Sequence, residues 1–330
     1  MSEIISKIKE WELVGRSGSL FPVDKKWEIV KGATGDKKYV IANGSEGEID
    51  TYKDYHVMKN HTFDVVNGLK LAMKEVGARK GYIYLNSKYY HELKEIFLKE
   101  FEDNDNIEIT EKKGGYLGGE ETSLINSLEG NRVEPREKPP FPAVCGLQGY
   151  PTLIQNVETL YCVSRIHRGD YHNERFYSVQ GDVPNKGVFI YDKNEPVKQI
   201  LEKSGNLPDF DYFLQIGGGG GGKILLPDET DQPLPCLGSV IVYNRQTTDP
   251  CQLMRRWTEF FLYGNCDRCT PCREGVFRIN EAVEQNRFSA IEDVFEVMKK
   301  TSLCPLGRVA VNPFEALLNK IIKPHNESKN

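Results

Sequence analysis

At 330 residues the chain is long enough for two or three domains, and 39% hydrophobic with 28% charged content is ordinary for a globular protein. A formal net charge of -5 excludes a dedicated nucleic-acid binder, which needs a basic surface to meet phosphates. The first residues, MSEIISKIKEWELV, scatter Glu and Lys and form no apolar core of signal-peptide length, and no later run approaches a membrane span, so no direct membrane insertion and a cytoplasmic location are expected.

From Lys38 the sequence KKYVIANGSEGE reads as a strand, the amphipathic run Phe63 to Val76 as a helix, and KGYIYL from Lys80 as a second strand. A helix over Tyr90 to Phe101 and a strand near Ile107 follow. Alternation of this kind builds an α/β layer with a largely parallel, Rossmann-like sheet. Beyond Phe176 the character changes to short strands (Phe176 onward, Gly187 onward, Tyr212 to Ile216) around a short helix from Pro196 to Ser204, which predicts a small α+β unit. The run Gly217 to Gly222 reads as a loop rather than a phosphate site. After Asp249 the apolar spacing of Leu253 to Leu262, Val276 to Val283, Ile291 to Met298 and Phe314 to Ile322 is helical, and the last residues read as a frayed tail.

Cys266, Cys269 and Cys272 follow one another at spacings of three, and Cys304 stands before Pro305, 32 positions on. Four thiolates suit either an iron-sulfur cube or tetrahedral zinc, but zinc sites usually pair two separated C-x2-C knuckles, so this spacing favours a 4Fe-4S cluster. A helix opening at Arg273 would turn its positive end toward an anionic cluster. The other cysteines (Cys145, Cys162, Cys236, Cys251) are scattered and are expected to pack in the core, which suits a reducing compartment. The six histidines are dispersed, and no Ser-His-Asp or Cys-His arrangement stands out.

Gly114-Gly115-Tyr116-Leu117-Gly118-Gly119-Glu120-Glu121-Thr122 follows a predicted strand and leads into a helix-compatible run. Glycines at such a junction let backbone amides approach a phosphate or a flat ring, and the carboxylates could bond ribose hydroxyls, although glycine-rich turns often merely turn. Arg136 to Ala143 adds cations and an aromatic on a stiff proline-rich segment that reads equally as a rigid linker.

These residues resemble a known family. The run from Gly114 to Leu160, with GNCDRCTPCREG and SLCPLGRVAVNP, is similar to the NADH-binding flavoprotein (51 kDa-type) subunit of respiratory complex I and its relatives in NAD-linked hydrogenases, formate dehydrogenases and electron-bifurcating oxidoreductases. GRSGSLFPVDKKW from Gly15 and VIANGSEGEIDTYK from Val40 resemble its two flavin loops, and FYSVQGDVPNKGVFIY its ubiquitin-like, soluble-ligand-binding β-grasp domain. The resemblance implies an FMN- and NAD(H)-binding α/β domain over 1–165, a β-grasp domain over 170–245 and a helical 4Fe-4S domain over 246–330. It implies that Tyr116, Gly119, Glu120, Asn156 and Asn43 line FMN, with Gly15, Arg16, Gly18, Lys26, Glu46 and Glu48 completing that pocket. Phe21, Lys138, Phe141 and Glu121 would hold the nicotinamide nucleotide, Glu121 tuning the charge where hydride is exchanged, and Cys266, Cys269, Cys272 and Cys304 would ligate the cluster.

The implied activity is that of a diaphorase-type NAD(P)H dehydrogenase subunit that exchanges hydride between NAD(P)(H) and FMN and passes single electrons through the cluster, with electron bifurcation among the family's uses. Partners would be iron-sulfur subunits of a hetero-oligomeric complex, a thioredoxin-like 2Fe-2S subunit and an oxidoreductase or hydrogenase-like subunit among them. Any further relay is expected in those partners, since the sequence shows neither a thioredoxin-like segment before the flavin loops nor extra ferredoxin domains. Departures from the pattern, with Ser17, Ser19 and Leu20 in the first loop, Ser45, Gly47, Ile49 and Asp50 in the second and Gln155 for an asparagine, point to an alternative. That alternative is an FMN-less relative acting as a cluster-bearing scaffold or relay. A leucine where backbone must hug a ligand is the main steric objection.

Overall fold

A computed structural model of the chain describes residues 2–103, 105–234, 237–288 and 291–323; Cys236, His325 and the C-terminal tail lie outside them. The chain divides into two units. The first takes in residues up to Gly47, Tyr52–Gly114 and Gly118–Glu174. The second comprises Glu48–Thr51, Gly115–Leu117 and the chain from Arg175 onward.

In the first unit, helices α1 (Glu3–Glu10) and α2 (Val23–Gly32) precede strand β1 (Tyr39–Gly44), helices α3 (Lys53–Asn60) and α4 (Thr62–Val76) and strand β2 (Lys80–Leu85). Then come α5 (Tyr90–Leu98), β3 (Ile107–Glu111), α6 (Glu121–Leu128), β4 (Thr152–Asn156) and α7 (Val157–Arg168). The four strands are parallel in the order β3-β2-β1-β4. Val40, Ile41 and Ala42 are buried, as a parallel strand between two helical layers requires. Where α4 meets α7, a side chain on Gly68 would lie 2.1 Å from the Leu160 carbonyl oxygen, so only glycine permits the approach. Both helices end on a left-handed glycine, Gly77 and Gly169. The expected helix at Tyr90 stops at Leu98 instead of Phe101.

The second unit holds β5 (Glu174–Gly181), β6 (Gly187–Asp192), α8 (Val197–Lys203), β7 (Tyr212–Ile216), β8 (Lys223–Leu225) and β9 (Ser239–Asn244). Their order, β6-β5-β9-β7-β8 with β5 and β9 parallel, is the 2-1-5-3-4 arrangement of a β-grasp sheet. Among the described residues five helices follow: α9 (Pro250–Gly264), α10 (Thr270–Glu284), α11 (Ile291–Thr301), α12 (Pro305–Val309) and α13 (Asn312–Leu317). Their core is aromatic, with Trp257 set edge-on to Phe314 at 5.4 Å and Phe261 and Phe295 beside them. Gly275 lets α10 press on α11, since a side chain there would meet Met298 Sδ at 2.4 Å. Cys162 is buried as expected, whereas Cys145 is exposed and Cys251 only partly covered, because each sits outside the apolar face of its segment.

Candidate functional site

In the first unit the strand order reverses at β1: β2 and β3 lie on one side and β4 on the other. Open parallel sheets bind ligands outside the carboxyl ends of strands flanking such a switch point. Asn43 and Asn156 occupy those ends, opposite each other in register. The Asn43 amide donates to the Gly119 carbonyl at 2.9 Å, and its oxygen accepts from the Ser45 amide at 3.2 Å, so the loop after β1 is tied to the glycine-rich segment before α6. Gly119 must lack a side chain, because a Cβ would stand 2.7 Å from Ser45 Oγ.

Glu120 caps α6: one carboxylate oxygen accepts from the amides of Thr122 and Ser123 at 2.9 Å, satisfying orphan donors of the first turn. Its other oxygen takes Lys138 at 2.8 Å. Glu121 is gripped by two cations, Lys138 at 2.9 Å and Lys26 at 3.3 Å. Burial works to raise its pKa, but the lysine charges prevail and hold it below the ordinary carboxylate value. Burial likewise works against the Lys138 charge, which Glu121 and Glu120 more than restore. Phe21 and Phe141 remain exposed, the latter at 55%, and offer ring faces to a flat ligand. The segment carrying Lys138 has cis peptide bonds before Pro139 and Pro140.

Behind these groups lies a buried charge network that the sequence did not reveal. Lys53, 0% exposed, contacts Asp54 and reaches Glu158 at 3.0 Å, and Asn156 donates to Asp54 at 2.7 Å. Asn156 also caps α7 by accepting from the Glu158 amide at 3.0 Å. Glu46 accepts from the amides of Asp54 and Tyr55 at the start of α3, while burial and the neighbouring Asp54 charge push it up to about 8. Lys112, just past β3, is also buried; its ammonium donates to the Ser45 carbonyl at 3.2 Å, and burial lowers it to about 8.

In the first loop the Gly15 amide donates to the Phe21 carbonyl at 2.9 Å, and Gly18 faces open space. Leu20 takes a left-handed backbone at φ 49°, a conformation that glycine adopts freely and leucine rarely. Arg16 departs from the resemblance: its guanidinium turns into the protein, 3% exposed, and donates to the Tyr171 hydroxyl at 2.6 Å, so only its backbone faces the loop. Gln155, 5% exposed beside Ala42, has an Nε2 donor with no partner among the described residues. A buried orphan donor at a switch point, with glycines, two lysines and two flanking rings, fits a polar, anionic, flat group such as FMN with a nucleotide.

Two other residues expected at the flavin, Glu48 and Tyr116, belong to the second unit. The Tyr116 hydroxyl donates to the Glu48 carboxylate, whose other oxygen accepts from the Gly220 amide at 2.9 Å. In the same unit Cys272 and Cys304 are buried in the aromatic core, with Cys266 and Cys269 packed against it. Cys269 immediately precedes α10 and Cys304 immediately precedes α12. The Cys272 thiol is pushed up to about 12, first by burial and then by the charges of Cys269, Cys304 and Cys266. Four thiolates crowded in an apolar pocket repel one another until a cationic metal centre joins them, and this donor set fits an iron-sulfur cluster.

Residues 8–165 match the Nuo51 FMN-binding domain, and residues 252–323 match the NADH-ubiquinone oxidoreductase-F iron-sulfur binding region. An NADH-quinone oxidoreductase F subunit of Rhizobium meliloti, the one numbered 2, is 32% identical over 312 residues, covering 83% of this chain and 74% of the relative. The alpha subunit of the NAD-reducing hydrogenase HoxS of Cupriavidus necator is 28% identical, covering 96% of this chain and 59% of its own. A crystal structure of an NAD+-reducing [NiFe]-hydrogenase in the H2-reduced state superposes with a TM-score of 0.90 at 28% identity over 97% of this chain. The chain spans 61% of that hydrogenase chain's length.

Proposed function

Because the chain belongs to the F-subunit family of NADH-quinone oxidoreductases, we propose that it is the NADH-dehydrogenase module of a larger redox complex, binding FMN and a 4Fe-4S cluster and taking NADH as substrate. The observation that carries this is the pairing, in one chain, of a switch-point pocket holding Lys26, Glu121 and Lys138 with a four-thiol pocket in an apolar core. When bound, FMN supplies the exchange between a two-electron hydride carrier and one-electron chemistry. The chain's own part is binding and positioning. Phe21 and Phe141 stack the nucleotide, Glu121 stays ionised between its two lysines and accepts from ribose hydroxyls, and Asn43, Gly119 and Gln155 offer polar contacts at the ring. Cys266, Cys269, Cys272 and Cys304 hold the cluster.

Iron-sulfur partner subunits, a thioredoxin-like 2Fe-2S protein among them, receive or supply the electrons in a cytoplasmic complex. No described helix is long and apolar enough to cross a membrane. The second unit is read as a β-grasp domain followed by a helical cluster domain. A flavin-free electron relay is the second reading, favoured by the left-handed Leu20 and the inward turn of Arg16. Released-flavin and iron assays on anaerobically purified protein, with NADH-dependent dye reduction, separate the two. Near-stoichiometric FMN with about four irons and dye reduction supports the first. Iron without flavin supports the second.

A further inference from the structure

Resting on the function proposed above, we infer that Glu48 and Tyr116 are positioning residues of the cluster, not flavin contacts: they form a buried hydrogen-bonded wall that keeps water from the four-thiol pocket and sets the cluster's potential. Each residue from Glu48 to Thr51 is fastened to a different part of the second unit. Glu48 accepts from the Gly220 amide at 2.9 Å, and the Ile49 carbonyl accepts from the Gly219 amide at 3.1 Å. Asp50 takes both ends of the Arg256 guanidinium at 2.8 and 3.0 Å, and Thr51 donates to Ser239 at 3.0 Å. Such stitching leaves the Glu48 carboxylate no freedom to swing toward a nucleotide.

Tyr116 completes the wall. Its hydroxyl donates to Glu48, its ring lies 4.7 Å from that of Phe260, and it packs on the core that contains Cys272 and Cys304. A side chain on Gly264, two residues before Cys266, would stand 3.1 Å from Tyr116 Cβ. The glycine run serves the same closure. Side chains on Gly218 and Gly220 would strike Glu48 and Phe260 at 2.6 and 2.4 Å, and one on Gly221 would meet Val309, on the helix that Cys304 opens, at 3.3 Å. The run therefore holds backbone tight against the carboxylate and the ring. An iron-sulfur cluster's potential follows the charge, hydrogen bonds and solvent around its sulfurs, and a buried carboxylate–phenol pair beside two ligands supplies all three.

The test uses the holoprotein with Tyr116→Phe and Glu48→Gln, each of which preserves side-chain shape. Bound FMN, iron content, the electron paramagnetic resonance spectrum of the reduced cluster and its midpoint potential are measured against the parent. The proposal expects FMN and iron at parental stoichiometry, an altered cluster spectrum, and a change of about tenfold in the oxidised-to-reduced cluster ratio at fixed potential, about 59 mV for one electron. Loss of FMN with the cluster's spectrum and potential unchanged would overturn it in favour of a flavin contact. No change in either group, or loss of both groups in both variants, would overturn it as well. A parent protein lacking FMN would sink the function proposed above, and the cluster measurements would still decide the role of Tyr116 and Glu48.

Discussion

Replacing Lys53 with methionine isolates the buried charge network behind the switch point. The ammonium is fully buried, 3.0 Å from the equally buried Glu158 and in contact with Asp54. At an effective dielectric of about 20, a unit pair at that separation attracts by roughly 5.5 kcal/mol, which the desolvation of both groups largely offsets. The substitution removes the cation and leaves Asp54, Glu158 and Glu46 to repel one another without water, and breaking a buried pair from one side typically destabilises by about 3–5 kcal/mol. In a unit of this size that corresponds to a melting point lower by roughly 6–20 °C. Scanning calorimetry of parent, Lys53→Met and Lys53→Met/Glu158→Met measures it. The double variant should recover part of the loss, because it removes an orphaned charge along with its partner. A single variant melting within about 2 °C of the parent would show that the network carries no net stability, and the reasoning would fail.

The remaining expectations concern the pocket and the thiols. Glu46 has a folded pKa raised from its ordinary 4.5 to about 8, so between those values the native state holds a proton that the unfolded chain has released. Stability attributable to this group is therefore present at low pH and falls as pH rises across that window; Glu46→Gln should flatten the pH dependence of the melting temperature there. Glu121→Gln should raise the KM for NADH about tenfold, roughly 1.4 kcal/mol, with FMN content unchanged, because it loses the charge that Lys26 and Lys138 orient. Cys304→Ser should lower or abolish the iron content while leaving flavin nearly untouched, as element analysis and fluorimetry will show. At Leu20, glycine should change stability by less than about 1 kcal/mol despite the lost side chain, whereas valine should destabilise by more, since a β-branched residue tolerates a left-handed backbone least.

Local pattern made some features legible and hid others. Alternation of the runs around Val40, Leu69 and Ile83 disclosed the parallel layer, and the cysteine spacing disclosed the cluster, because in each case the signal is contained within a few tens of residues. Helix α2 escaped notice because its buried face is only Val23, Trp27 and Val30 in an otherwise charged segment. Arg16 stands in a loop that resembles a phosphate cradle, and only the fold brings Tyr171, 155 positions away, to its guanidinium. Lys53 reads as a surface lysine until α7 delivers Glu158 beside it. Glu48 and Tyr116 likewise looked like flavin contacts through their neighbours in sequence, while their partners Gly220 and Phe260 come from much later in the chain. Gln155 carried a usable signal: an amide in a run otherwise apolar enough for a buried strand invites the question of what it bonds.

The central claim, that this chain converts hydride from NADH into single electrons, is tested most directly by anaerobic titration of the purified holoprotein with NADH, followed by visible absorbance and electron paramagnetic resonance together. The account predicts that substoichiometric NADH bleaches bound FMN and raises the signal of a reduced 4Fe-4S cluster in the same sample. A protein whose cluster is intact and reducible by dithionite but unresponsive to NADH, with no flavin to bleach, would contradict it.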